Sequence, residues 1–129
     1  MTTPYTHKNL TDVEDSAPKF GLSAMGEARF AFEDLDAEAT GITYHRLKAG
    51  QRQPFAHKHD AAEEVYIVVA GSGRAKLDDA IIDISALDAI RVAPGVTRAF
   101  EAGSDDLQLL ACGPHHAGDG EVVQGWWTD

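Results

Sequence analysis

His57 and His59 stand two residues apart, and on an extended strand such a pair points to one face. Five residues after His59, Glu64 opens a run dense in β-branched and aromatic residues, and its carboxylate shares a face with Tyr66 and Val68. Two neutral imidazoles and one carboxylate converging on one point form a ligand set for a divalent transition metal. Imidazole suits Zn, Fe, Cu and Ni, and the carboxylate extends the choice to Mn. Glu63 is the neighbouring alternative, but its parity sets it on the face opposite Tyr66, so the expected set is His57, His59 and Glu64.

Positioning these groups requires strands, and the chain is rich in strand signals. Residues 42–48, 64–70, 74–77, 81–84, 89–92, 97–101 and 107–111 read as short strands. They are separated by turn residues: Gly71-Ser72-Gly73, Asp78-Asp79, Pro94-Gly95 and Gly103-Ser104. This spacing predicts an all-β barrel or sandwich. Residues 33–39 carry the one helix signal, from Ala and Glu content alone. Residues 1–18 are polar and without a hydrophobic period, which suits either a loosely ordered arm or a strand exchanged with another subunit.

The stretch from Gly50 to Gly71 resembles the first motif of the cupin superfamily: a Gly, then His-x-His, a few residues, Glu, six residues and Gly. Four residues separate His59 from Glu64, and six separate Glu64 from Gly71. Residues 87–101 resemble the second motif through Pro94-Gly95 and the flanking strand pattern. Two positions depart from it: Leu87 stands at the opening Gly, and Arg98 at the second-motif metal His. The resemblance implies a double-stranded β-helix, or jelly-roll barrel, over residues 19–112, preceded by the arm 1–18 and followed by a tail 113–129. It also implies a range of functions: isomerases acting on sugars or sugar phosphates, dioxygenases, and binders without enzymatic activity.

Arg98 leaves three readings open. In the first, His57, His59 and Glu64 hold Fe, Mn, Zn or Ni, and the Arg98 guanidinium anchors a small anionic ligand beside the open coordination positions. Tyr66 or a metal-bound water would then do acid–base work. In the second, Arg98 replaces the metal and pairs with Glu64 inside a metal-free binding module. In the third, a distant His45, His115 or His116 completes the ligand set. Phe55, Tyr66 and Phe100 are expected to line or floor the barrel, with Phe55 and Phe100 beside the ligand, and Gln53 and Gln108 are candidate hydrogen-bonding groups of the pocket.

Composition narrows the partners. The chain has 129 residues, with 11 basic and 21 acidic side chains, for a formal net charge of −10. That balance argues against nucleic acid, whose phosphates are neutralised by Lys and Arg, and against an anionic membrane surface. The longest apolar run, residues 65–70, is far short of the roughly 20 residues that cross a bilayer. A single cysteine, Cys112, excludes an intrachain disulfide and reads as a small buried hydrophobe. No signal segment is evident in the first residues, so a cytoplasmic location is expected. Both faces of residues 64–70 are apolar, so something must cover the outer one, and a homodimer is the expected answer. Trp126-Trp127, in a polar tail, is expected to dock on the barrel or on a second copy.

Overall fold

The computed structural model of the protein describes residues 4–129. Ten strands follow in chain order: β1 (Gly26–Phe30), β2 (Thr40–Leu47), β3 (Ala56–His59), β4 (Glu64–Ala70), β5 (Ser72–Leu77), β6 (Ala80–Ser85), β7 (Ala89–Val92), β8 (Arg98–Ala102), β9 (Leu107–Pro114) and β10 (Gly120–Val123). They form two five-stranded antiparallel sheets, β1-β2-β9-β4-β7 and β10-β3-β8-β5-β6, which face each other as a jelly roll. The all-β expectation is met. Tyr66, Val68, Leu107, Leu109 and Phe100 are buried between the sheets and supply much of the core. Strand parity explains why: Tyr66 and Val68 face inward from β4, and Phe100 faces them from β8.

Four features differ from the sequence reading. Residues 33–39 form no helix. Two backbone bonds close a turn, Leu35 N–H to Ala31 O and Ala37 N–H to Phe32 O, and Asp36 then enters the left-handed region at φ 52° and ends it. Strand β1 has a sequence, Gly-Glu-Ala-Arg-Phe, with little β propensity, and it exists because it pairs with β2 along its whole length. Strand β10 lies in the stretch read as tail and extends the second sheet beside β3. The N-terminal segment is tied down from Leu10 onward rather than loose. Val13 and Ala17 are buried, Asp15 accepts the N–H groups of Ala17 and Ala28 at 3.0 Å each, and Arg29 donates to the carbonyls of Thr11 and Val13. It pairs with this chain's own β1, through Asp15 and Arg29.

The C-terminal residues cover the outer face of the second sheet. Trp127 lies under the Arg52 guanidinium at 4.4 Å and donates its indole N–H to Gln53 O, while Trp126 lies under Lys76 at 4.7 Å. Asp129 pairs with Arg52 and Arg74, which also hold Glu101. The outer face of β4 is less covered. Val65 and Ile67 are half-buried, and Val69 is 45% exposed.

Two backbone positions bracket the motifs. Gly71 joins β4 to β5 at φ 84°, and a Cβ there would lie 1.9 Å from Asp106 O, so any side chain forces the backbone apart. Leu87, at the position where the second motif opens on Gly, adopts φ 73° and is 84% exposed. A branched-chain residue in this region is strained by about 1–2 kcal/mol and gains nothing from burial here. Leu87→Gly is therefore expected to raise stability by about 0.5–1 kcal/mol, after the entropy cost of glycine in the unfolded chain. Gly71→Ala is expected to lower it by more than that amount. Urea unfolding of the two variants measures both signs.

Candidate metal centre and ligand cavity

The chemistry-bearing residues meet where the two sheets face each other. Strand β3 presents His57 and His59, and pairs with β8 through His57 opposite Arg98. Strand β4 of the other sheet presents Glu64 and Tyr66. Their spacing depends on the link of residues 60–63, which the Asp119 carboxylate holds by accepting the N–H groups of Asp60, Ala61 and Ala62 at 2.9–3.0 Å. The Pro94-Gly95 turn holds the end of β3 from the other side, with Gly95 N–H donating to His59 O at 2.7 Å. His59 is thus fixed by one turn from each motif region and by Asp119.

His57 Nε2 and His59 Nε2 each lie 3.8 Å from Glu64 Oε1, and one ligand atom from each residue falls within 4.8 Å of the others. The two imidazole rings are nearly perpendicular, with centroids 5.3 Å apart. Glu63 points elsewhere and pairs with Arg91. Burial pushes the Glu64 carboxyl up, but the polar groups of His57, Tyr66 and Arg98 gathered around it prevail and hold its pKa at about 2. Burial pushes His59 below its ordinary value, with Arg98 and His57 adding to the effect. One side of the set is therefore an ionised carboxylate and the other a neutral imidazole, the protonation states that metal ligation needs. His59 Nδ1 is buried without a hydrogen bond, yet it lies 3.5 Å from Asp119 Oδ2. A carboxylate behind the second nitrogen of an imidazole is the usual means of orienting a ligating histidine. The donor set fits a divalent transition metal.

Arg98 is fully buried, and each of its three nitrogens donates a hydrogen bond inside the protein. Nη2 donates to Glu64 Oε1 at 2.8 Å, Nε to the Tyr66 hydroxyl at 3.1 Å, and Nη1 to Val96 O at 2.9 Å. The expectation that it anchors an anion meets a different geometry: the guanidinium is bonded to Glu64 and Tyr66 and is not among the residues lining the cavity beside them. The reason is reach, since the long side chain of β8 crosses to the facing sheet and finds Glu64 there. Burial, and the charge of Glu64, push the Tyr66 hydroxyl well above the usual range, and it lies 3.3 Å from His57 Nε2.

A cavity of about 540 Å³ opens from this cluster. His57, His59, Glu64, Tyr66 and Phe55 line it, whereas Phe100 packs in the core behind Tyr66. His45 also lines it but stands outside the three-atom cluster; burial, reinforced by His57, lowers its pKa to about 4, so it is neutral. His115 and His116 lie at the cavity wall, His115 stacked on Phe32 at 3.8 Å, and neither joins the cluster. Gln53 touches the cavity, but its side-chain oxygen accepts Phe100 N–H, and Gln108 holds the Tyr44 hydroxyl instead. Cys112 is half-buried. Sequence reasoning missed Asp119. Its signal was the Gly118-Asp119-Gly120 turn, a setting in which a short carboxylate commonly accepts backbone N–H groups.

No family model matches the chain, and no relative is found among curated proteins. Solved structures are similar in fold. A cupin protein from Bacteroides fragilis is 23% identical with a TM-score of 0.70, over 98% of this chain and 93% of that one. The polyketide cyclase RemF from Streptomyces resistomycificus is 18% identical with a TM-score of 0.74, over 100% and 89%. Oxalate decarboxylase from Bacillus subtilis is 20% identical with a TM-score of 0.76; the match covers 94% of this chain but 32% of that enzyme, so this chain spans about a third of its length. The chain has the cupin fold.

A buried cation removed from a buried anion leaves the anion uncompensated. Arg98→Met is therefore expected to destabilise the protein by about 3–5 kcal/mol. Adding Glu64→Gln to Arg98→Met should return more than half of that loss. Denaturant unfolding of the two variants checks the pair, and a double variant no more stable than Arg98→Met would contradict it.

Proposed function

We propose that this cupin-fold protein binds one divalent transition metal at His57, His59 and Glu64, and acts through it on a small organic molecule held in the adjoining cavity. The observation that carries the reading is the convergence of three donor atoms within 4.8 Å at the wall of a 540 Å³ cavity. Fe, Mn, Zn and Ni all accept such a set. A bound ion would supply Lewis-acid polarisation of an oxygen on the ligand. The chain's own residues orient that oxygen. Tyr66 keeps its proton and can donate it in a hydrogen bond, and His45, neutral at the cavity wall, can donate or accept. Asp119 aims His59, and Arg98 fixes the Glu64 oxygen that faces both imidazoles.

A second reading follows from Arg98. Its contact with Glu64 balances the charge of the site without a metal, as a binding module with no catalytic ion would require. Metal analysis separates the two. The first reading expects one divalent ion per chain after incubation with Fe(II), Mn, Zn or Ni, and its loss in His57→Ala and in Glu64→Gln. It further expects Arg98→His to bind metal about tenfold tighter or more, because a competing cation is exchanged for a ligand. No uptake by either the wild type or Arg98→His would establish the metal-free reading.

We also propose that a second copy of the chain covers the outer face of β4. The support is the half-buried Val65 and Ile67 beside the exposed Val69, on a strand flanked on both sides within its sheet. Light scattering after size exclusion should give a dimer mass, and Ile67→Asp should convert it to the monomer. A monomeric wild type would overturn this assembly.

A further inference from the structure

The charges around the cavity are already matched within the protein. Arg46 is the one Arg or Lys among the described residues lining it, and it is held by Glu27 at 3.0 Å and Asp106 at 2.9 Å. Arg98 is sealed behind the wall. An anion entering here would shed its water, meet no free guanidinium or ammonium group, and approach the ionised Glu64. A neutral molecule faces none of these penalties.

Away from His45, His57, His59, Glu64 and Tyr66, the walls are strongly apolar. Leu22, Phe30, Phe32, Phe55 and Val122 contribute to them, together with Phe20. Three of these side chains stand in solvent at the opening: Phe20 is 67% exposed, Phe30 51% and Val122 56%. They come from three separate parts of the chain, the N-terminal segment, β1 and β10, and meet at one mouth. Large apolar side chains exposed around a cavity whose charged groups are paired within the protein are the arrangement of a site that takes up apolar ligands.

We propose that the ligand is a neutral, largely apolar, ring-bearing molecule that presents an oxygen function, hydroxyl or carbonyl, to the His57, His59 and Tyr66 end of the cavity. The proposal rests on the reading of this cavity as the small-molecule site, and it is made for the site without a metal ion, since a divalent cation beside Glu64 would make the local charge positive. The aromatic mouth supplies ring contacts, and the imidazoles and phenol supply hydrogen bonds to the oxygen. Without metal, ligands whose affinity depends on a carboxylate or phosphate are disfavoured.

Two probes that share a ring system but differ in charge test the proposal: 2-naphthol, neutral at pH 7, and 2-naphthoate, an anion. Calorimetric titration is made first on chelator-treated protein and then on metal-loaded protein. In the chelator-treated protein 2-naphthol is expected to bind at least about tenfold tighter than 2-naphthoate. Phe55→Glu and Phe30→Glu, with folding verified by circular dichroism, should each weaken 2-naphthol about tenfold or more. A smaller preference, a preference for 2-naphthoate, or an unchanged affinity in both variants overturns the proposal. So does dissociation of a dimer by Phe30→Glu with 2-naphthol affinity unchanged, since that would assign the mouth to a second copy. Failure of the metal reading would be visible separately, as naphthol binding without metal uptake.

Discussion

A guanidinium with no access to water constrains everything around it. Arg98 begins in one sheet, at the start of β8, and its donors end on Glu64 and Tyr66 of the other. Desolvating a cation is costly unless an anion and further acceptors surround it, so the carboxylate of Glu64 cannot turn away without leaving the charge exposed to a low dielectric. Fixing Glu64 fixes the point at which His57 and His59 aim, because both imidazoles lie at the same distance from the oxygen that Arg98 holds. The site geometry therefore depends on a contact that reaches across the jelly roll rather than along either sheet.

The same contact shapes the cavity. With Arg98 spent behind the wall, and Arg46 spent between two carboxylates, a chain of net charge −10 presents its cavity with no unpaired Arg or Lys among the described lining residues. The acidic excess stays on the surface, where water screens it. What remains is a mostly apolar wall, a small group of neutral donors, and the carboxylates of Glu27, Glu64 and Asp119, each held by partners of the protein's own. Elsewhere too the cations are used locally. Arg52 and Arg74 grip Glu101 and Asp129, and so fasten the residues that carry Trp126 and Trp127 to the sheet bearing the two histidines.

How much of this was legible in the sequence follows from the range of the forces involved. The pairing of His57 with His59 and the choice of Glu64 over Glu63 are consequences of strand parity, which is local and holds at every register. The all-β architecture came from turn residues and β-branched runs, which are also local. Strand β1 was invisible because its residues have little β preference and are recruited by pairing with β2, and β10 because its Val122-Val123 pair is too short a signal without the pairing to β3. Asp119 was missed for a related reason: it acts on backbone N–H groups some 57–59 residues away in the chain. At Arg98 the sequence departs from the motif and allows either a pairing with Glu64 or an anchor for an anion. Only the contact across the sheets distinguishes a buried pairing from an anchor for anions.

Stability alone does not account for such a pair. A buried ion pair commonly gains little over apolar residues of similar volume, because the attraction is offset by desolvation. A Met and a Leu at these positions could join the sheets about as well, and Tyr66, Phe100 and Leu109 around them already provide an apolar core. No apolar pair, however, would keep an ionised oxygen at the deep end of an otherwise apolar cavity, facing two imidazoles. Arg98 helps to do so, together with His57 and Tyr66, by lowering the cost of the Glu64 charge. The pair is thus better understood as a device that maintains one ionised oxygen facing the two imidazoles than as a fastening of the fold.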